Sequence, residues 1–363
     1  MTTTTKRLEN FEILRSVSML MIVLVHLYPK GMVPNTFCSS VGTVNYVISQ
    51  YILVVCSVCV NCFVLISSYF LVSKEFNLRR ILNLWIQTAF YSVCAAVLFF
   101  MFQPGEHTIR EMITSLFPIS TQAYWFITQY FGLVCLAPFL SKVVFALAKK
   151  QYVIFLLILV LVCCTFSAGF PLGDAMGARK GFTLLWFIAL FFFGGYIRRF
   201  DPSDDSKAAL VIFIASSILV FIFCVSKGFY RHYANGAVLE LESVAYNGFA
   251  FLLSIPFFLW FKRKHFGKNL INRMLVATAP LTLGVYLIHD NPYLRGLRMD
   301  FSHTFDLTPL MNGVWFIPVM IVSCLAVYFL CSLMEYLRKK LFSFIRVDDL
   351  TEKFVNLFSG LVN

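Results

Sequence analysis

Arg15 and His26 interrupt an apolar run near the start of the chain, with ten residues between them. Eleven steps at 3.6 residues per turn make about three turns of helix, so both side chains share one face. At 1.5 Å per residue their Cα atoms lie about 16 Å apart along the axis. A guanidinium is always charged, and its fork of donors matches carboxylate or phosphate oxygens. An imidazole titrates near neutral pH and can act as a general base or as a nucleophile. Ionisable groups inside a membrane span are costly and usually face a cavity or a partner. Taken singly, each has an ordinary reading. Arg15 could snorkel to the nearer interface, and His26 could be an interfacial histidine bonded to a neighbour. On one face of one helix, a functional pair is the stronger reading.

The elements that carry this pair are set by composition. The chain has 363 residues, is 59% hydrophobic and only 13% charged, and has a mean hydropathy of +0.79. That excludes a soluble globular domain, which carries about 25% charged residues, and it excludes disorder. Aromatic residues make up 17% of the chain, which suits a lipid-facing surface with interfacial belts. A spanning helix needs about 20 mostly apolar residues. Ten such stretches can be placed, at 11–28, 46–72, 81–102, 122–140, 152–169, 182–197, 208–226, 245–261, 274–290 and 314–335. The expected fold is an all-α polytopic membrane protein of about ten transmembrane helices. Residues 1–340 form one membrane domain, and 341–363 a short, amphipathic cytoplasmic tail that lies on the membrane. The stretch 46–72 is long enough to require a tilt or a break, and 274–290 contains Pro280 and Gly284. No room remains for a second folded domain of ordinary size.

Orientation follows from Lys and Arg, which collect on the cytoplasmic side. With the N-terminus inside, only Lys30, Arg110, Arg179, Lys180, Lys227, Arg231, Arg295 and Arg298 fall in outer segments. Arg15 lies within a span, and all the others are inside. Both termini are therefore expected in the cytoplasm, and the formal net charge of +12 is explained without nucleic acid. The N-terminal run reads as an uncleaved first span, because no small-residue cleavage site follows it. Of the 11 cysteines only Cys38 falls in an outer loop, so a disulfide between loops is not expected. Cys56, Cys59 and Cys62 would sit roughly on one helix face, where they read as small hydrophobes rather than metal ligands.

Several other residues have both an ordinary and a functional reading. Lys74, Arg79 and Arg80 are inner-face charges, ordinary for topology, that could also pair with phosphates. Tyr124 and Trp125 open the fourth span at the outer face, as an aromatic belt or as substrate contacts. His289 and Asp290 end the ninth span, as a polar helix cap or as part of a site. Glu106, His107, Glu111, Asp174, Glu240 and Glu242 in the outer loops are ordinary loop polarity or sugar contacts. Gly194 and Gly195 suit close helix packing.

The segment RLENFEILRSVSMLMIVLVHLY resembles the first span of the acyltransferase 3 family, whose hallmark of Arg or Lys, ten residues, then His is matched by Arg15 and His26. FNLRRILNLW, YWFITQYFGLVCLAPFL, FFFGGYIRRF and LTLGVYLIHDNPYL are similar to family segments further along. Many members carry Arg-x-x-Arg entering the third span. Here Arg79 and Arg80 are adjacent, with Asn77 where the first would fall.

The resemblance implies a membrane O-acyltransferase, with its localisation the bacterial inner membrane. Its donor co-substrate would be acetyl-CoA or another acyl-CoA, with no metal. Its acceptor would be a hydroxyl of an exported or lipid-linked polysaccharide. Arg15, Lys74, Arg79 and Arg80 would meet the CoA phosphates. His26 would act as general base or covalent carrier, and Tyr124, Trp125, His289 and Asp290 would contact substrate. Two competing readings remain at this level. One is a transporter or exporter of a glycan or small metabolite, which the shortage of membrane-embedded acids away from span ends disfavours. The other is a membrane sensor on the same fold.

Overall fold

The computed structural model describes residues 8–27, 44–102, 108–165, 181–201, 203, 205–236, 248–295 and 313–358. Among these the regular elements are all helical. In chain order they are α1 (Glu9–Leu27), α2 (Val44–Cys56), α3 (Cys59–Leu71), α4 (Leu78–Phe102) and α5 (Ile109–Thr114). Then come α6 (Trp125–Ala146), α7 (Lys149–Val160, running into a π-turn at Leu161–Thr165), α8 (Leu184–Phe200), α9 (Ser206–Asn235) and α10 (Gly248–Arg263). The last are α11 (Leu270–Thr278), α12 (Thr282–His289), α13 (Phe316–Phe344) and α14 (Val347–Phe358).

Each of the ten apolar stretches is mainly helical among the described residues. Among the described residues, seven helical segments are long and apolar enough to cross a membrane: α1, α2 with α3, α4, α6, α9, α11 with α12, and α13. The described parts of α7, α8 and α10 have 12, 17 and 16 residues, short of a full span by that measure.

Two of the expected stretches are broken: 46–72, whose length required a tilt or a break, and 274–290, which contains Pro280. Between α2 and α3 the Ser57 hydroxyl donates to the Val54 carbonyl at 2.7 Å, a local bond that competes with the helix ladder. The break falls between Cys56 and Cys59, and all three cysteines of the run are buried. Cys56 packs with Val25 and Leu53, while Cys59 and Cys62 join the main core. The second break is a 3-10 turn at Ala279–Leu281, between α11 and α12. Pro280 has no N–H to donate, and its ring obstructs the carbonyl one turn back. α13 runs on past the expected span end to Phe344, taking in the start of the expected tail. α14 is amphipathic. Leu350, Phe354 and Leu357 form one exposed apolar face, and Asp348 and Glu352 lie on another.

α1 is the hub of the bundle. It packs against α2, α3, α10, α11, α12 and α13. The α2–α3 segment is 72% buried, whereas α9 is 28% buried and turns Val211, Ile212, Leu219 and Ile222 outward, as a lipid-facing helix does. α3 and α8 pack most extensively, because Gly194 lets their backbones approach. A Cβ there would meet Ser68 at 2.6 Å and the backbone nitrogen of Tyr69 at 3.1 Å. Gly195 makes a similar approach to Tyr152 and Val144.

A second close approach holds α12 in place. Glu335 of α13 is fully buried. It takes two hydrogen bonds from Arg338, at 2.6 and 2.8 Å, one from Tyr91 at 2.6 Å and one from Gln87 at 3.2 Å. Its carboxyl lies where a Cβ on Gly284 would stand. At the ends of α8 and α10, Asp201 accepts from Lys262 at 3.0 Å and from Arg263 at 2.8 Å. Burial alone would push the Asp201 carboxyl up. The two cations outweigh it and hold the group below the usual carboxylate range.

Two stability outcomes follow. Gly284→Ala drives a methyl into a carboxyl locked by four hydrogen bonds, so a loss of about 1–3 kcal/mol is expected in thermal unfolding in detergent; no loss would mean that α12 moves freely. Asp201→Asn is expected to lower the melting temperature at neutral pH. A depressed carboxylate stabilises the fold fully above its ordinary pKa of 3.8 and loses that effect as pH falls through the lower native value. The gap between wild type and variant should therefore close only below that range, and an undiminished gap there would assign the effect to packing.

Candidate active site

α1 presents its chemistry as the helical spacing requires. Arg15 and His26 line the same cavity, which has a volume of about 250 Å³. Between them on α1, Met19 and Ile22 face the same space. Trp125 and Phe126 of α6 form a second wall, and Pro280 and Tyr286 a third. The 3-10 turn at Pro280 thus puts irregular backbone where it borders a cavity, the one place a bilayer tolerates it. The result is an apolar passage with a cation at one level and an imidazole at another.

Arg15 is held by Glu12, whose carboxylate lies 3.1 Å from its guanidinium. Glu12 is buried, and 26% of the Arg15 side chain remains accessible, so part of its donor fork faces the cavity. Arg15 thus carries an ion pair and still borders the cavity. Glu12 and Glu335 are buried acids within helices, each answered by an arginine three residues on.

His26 is 12% accessible. Its Nδ1 lies 3.0 Å from His289 Nε2 and 3.6 Å from Asp290 Oδ1. His289 Nδ1 is 2.6 Å from the Val285 carbonyl oxygen, one turn back in α12. The Arg295 Nε is 3.3 Å from Asp290 Oδ1, and the far end of that guanidinium donates to the Ala123 carbonyl at 2.7 Å. His289 and Asp290 are both buried and stand behind His26, outside the cavity lining. The arrangement is an imidazole facing the cavity, backed by a second imidazole and a carboxylate, which suits general acid–base work.

The other expected residues divide. Trp125 lines the cavity. Tyr124 does not; it is fully buried, donates to the Leu287 carbonyl at 3.0 Å and accepts from Asn291 at 2.7 Å. It braces the end of α12 against α6, since a buried phenol must find partners and the helix end supplies them. Of the four basic residues expected at the donor, Arg15 alone lines this cavity. Lys74 and Arg80 border a small separate cleft at the α3–α4 junction. Arg79 turns to α14 instead, 3.7 Å from Asp348 and 3.5 Å from Glu352. Glu111 closes a capping box with Thr108 at the start of α5. Glu106, His107, Asp174, Glu240, Glu242 and Cys38 lie outside the described residues. Among the described residues no three His, Cys, Asp or Glu side chains gather as metal ligands would.

Sequence reasoning missed Tyr286, Asn291, Arg295 and Glu335 as parts of this site and its frame. Three of them lie within YLIHDNPYLR, a dense polar run at the end of an apolar stretch, and that density was the available signal. Glu335 stood at an expected span end, where a carboxylate is unremarkable.

Comparison with curated proteins and with solved structures finds no match. The family model described as an acyltransferase domain, that of the acyltransferase 3 family, matches residues 8–333, so it takes in Arg15 and His26 as well as His289 and Asp290, stops two residues short of Glu335 and leaves out α14. On that match the chain belongs to the acyltransferase 3 family, and it is a helical membrane enzyme that transfers acyl groups.

Proposed function

We propose that the protein moves an acyl group, acetyl in the first instance, from cytoplasmic acyl-CoA to a hydroxyl of an exported or lipid-linked polysaccharide. The observation that carries this reading is the single cavity shared by Arg15 and His26. Acyl-CoA combines a polyanionic end, a long flexible arm and a thioester. The cavity offers a cation, an apolar passage and an imidazole in the same order. Arg15 pairs with a phosphate through charge-assisted hydrogen bonds. Lys74, Arg79 and Arg80 add positive charge that draws a polyanion to the entrance.

His26 takes the proton of the acceptor hydroxyl as its oxygen attacks the thioester carbonyl. His26 then returns that proton to the departing sulfur. Trp125 and Tyr286 narrow the passage beside the imidazole and exclude water, which would otherwise compete with the acceptor. The enzyme crosses the membrane ten times, with both termini cytoplasmic, and resides in a bacterial inner membrane. The Lys and Arg distribution and the helicity of all ten stretches support that topology.

The test compares wild type, His26→Ala and Arg15→Gln in membranes supplied with radiolabelled acetyl-CoA. Label is followed from CoA into glycan or lipid-linked sugar. His26→Ala is expected to lose about 100-fold or more in turnover at equal abundance, the usual scale for a general base. Arg15→Gln is expected to raise KM for acetyl-CoA about tenfold, as for one lost charged hydrogen bond. Equal turnover by His26→Ala and wild type would sink the role assigned to His26.

A further inference from the structure

Hydrogen-bond donors and acceptors around His289 and His26 can be assigned in sequence, starting from an atom that has no choice. The Val285 carbonyl oxygen can only accept, so the hydrogen between it and His289 lies on His289 Nδ1, at 2.6 Å. A neutral imidazole carries one N–H, so His289 Nε2 holds a lone pair. That lone pair stands 3.0 Å from His26 Nδ1. Two ring nitrogens at this distance need one donor between them, and it is His26 Nδ1. Asp290 Oδ1, 3.6 Å from the same nitrogen and 3.3 Å from the Arg295 guanidinium, is a second group that can only accept. The lone pair of neutral His26 therefore resides on Nε2, across the ring from these buried contacts.

We infer that His289 is a positioning residue which fixes His26 in the Nδ1–H tautomer and so makes Nε2 the base. This deepens the acyl-transfer reading and rests on it. The acceptor O–H bond breaks and its proton goes to His26 Nε2. The acceptor oxygen bonds to the acyl carbon, the carbon–sulfur bond breaks, and the proton on Nε2 passes to the departing thiolate. While His26 carries that proton, its Nδ1–H keeps its bond to His289, and Asp290 offsets the positive charge. His289 itself is no substitute base. It lies outside the cavity lining, and both of its ring nitrogens are engaged. The whole assignment starts from one main-chain carbonyl, because a helix carbonyl cannot change its hydrogen-bonding role and a side chain can.

The chain has 6 histidines, few enough for selective ¹⁵N-histidine labelling of the full protein in detergent. His26→Gln and His289→Gln assign the two signals by their loss, and two-bond ¹H–¹⁵N correlations report which nitrogen is protonated. Protonated Nδ1 on both residues is the expected result. In the radiolabelled acetyl-CoA assay His289→Ala is expected to lower kcat about 100-fold with KM for acetyl-CoA unchanged. His289→Gln, whose amide oxygen can still accept from His26, should recover most of that loss. A protonated Nε2 on His26, wild-type turnover in His289→Ala, or equal loss in the folded Gln and Ala variants overturns the inference. Full activity in His26→Ala would overturn the role of His26 and this inference with it, whereas no label transfer by folded wild type would instead sink the acyl-transfer reading, and the spectrum of the wild type would still report the tautomer.

Discussion

A carboxylate or a guanidinium surrounded by hydrocarbon is tolerated only where an opposite charge and enough hydrogen bonds lie within reach. The interior of this bundle is organised around that requirement. Glu12 meets Arg15 at 3.1 Å and Glu335 meets Arg338 at 2.6 Å, each across one helical turn. Asp290 stands between His26 and Arg295. The three groups differ in what they leave over. Glu335 is fully buried, with every contact turned inward, so it holds α4, α12 and α13 together. Glu12 leaves part of Arg15 facing the cavity. Asp290 sits behind a histidine that reaches the same cavity. One physical rule thus gives a brace in one place and a site in another, according to which member of the pair borders open space.

The backbone breaks follow the same logic. A continuous helix has no unsatisfied groups in its middle, but it also has no way to turn a wall aside. Pro280 forces a 3-10 turn between α11 and α12, and that turn borders the cavity. α12 then delivers His289 and Asp290 behind His26. Its angle is fixed by Tyr124 and Asn291 at one end and by the approach of Gly284 to Glu335 at the other.

The tail follows a different rule. α14 lies beyond the stretch matched by the family, and its acidic face reaches Arg79 at the start of α4. Its other face exposes Leu350, Phe354 and Leu357. A residue read as a phosphate ligand from its charge alone is in this structure partly engaged by the chain's own carboxylates. Charge by itself does not say which anion a guanidinium meets.

Much was legible without coordinates. The helical class follows from composition, since only helices or closed barrels satisfy a backbone in lipid. The positions of all ten helical stretches follow from apolar run length. The shared face of Arg15 and His26 follows from the helical period. These are local properties, decided by neighbours within a few turns. The break at Ser57–Val58, the burial of Glu335, and the split of the basic residues between two pockets and a tail could not be read this way. Nor could the placing of Tyr124 as a brace. His289 was visible as a residue, but its partnership with His26 was not, because they are 263 positions apart and only the packing of α12 on α1 closes that distance. Sequence by itself determined which residues could carry charge or a proton and on which face of their own helix. Tertiary structure alone decided which of them meet, because hydrogen bonds act over about 3 Å and the helix period says nothing about which helix comes that close.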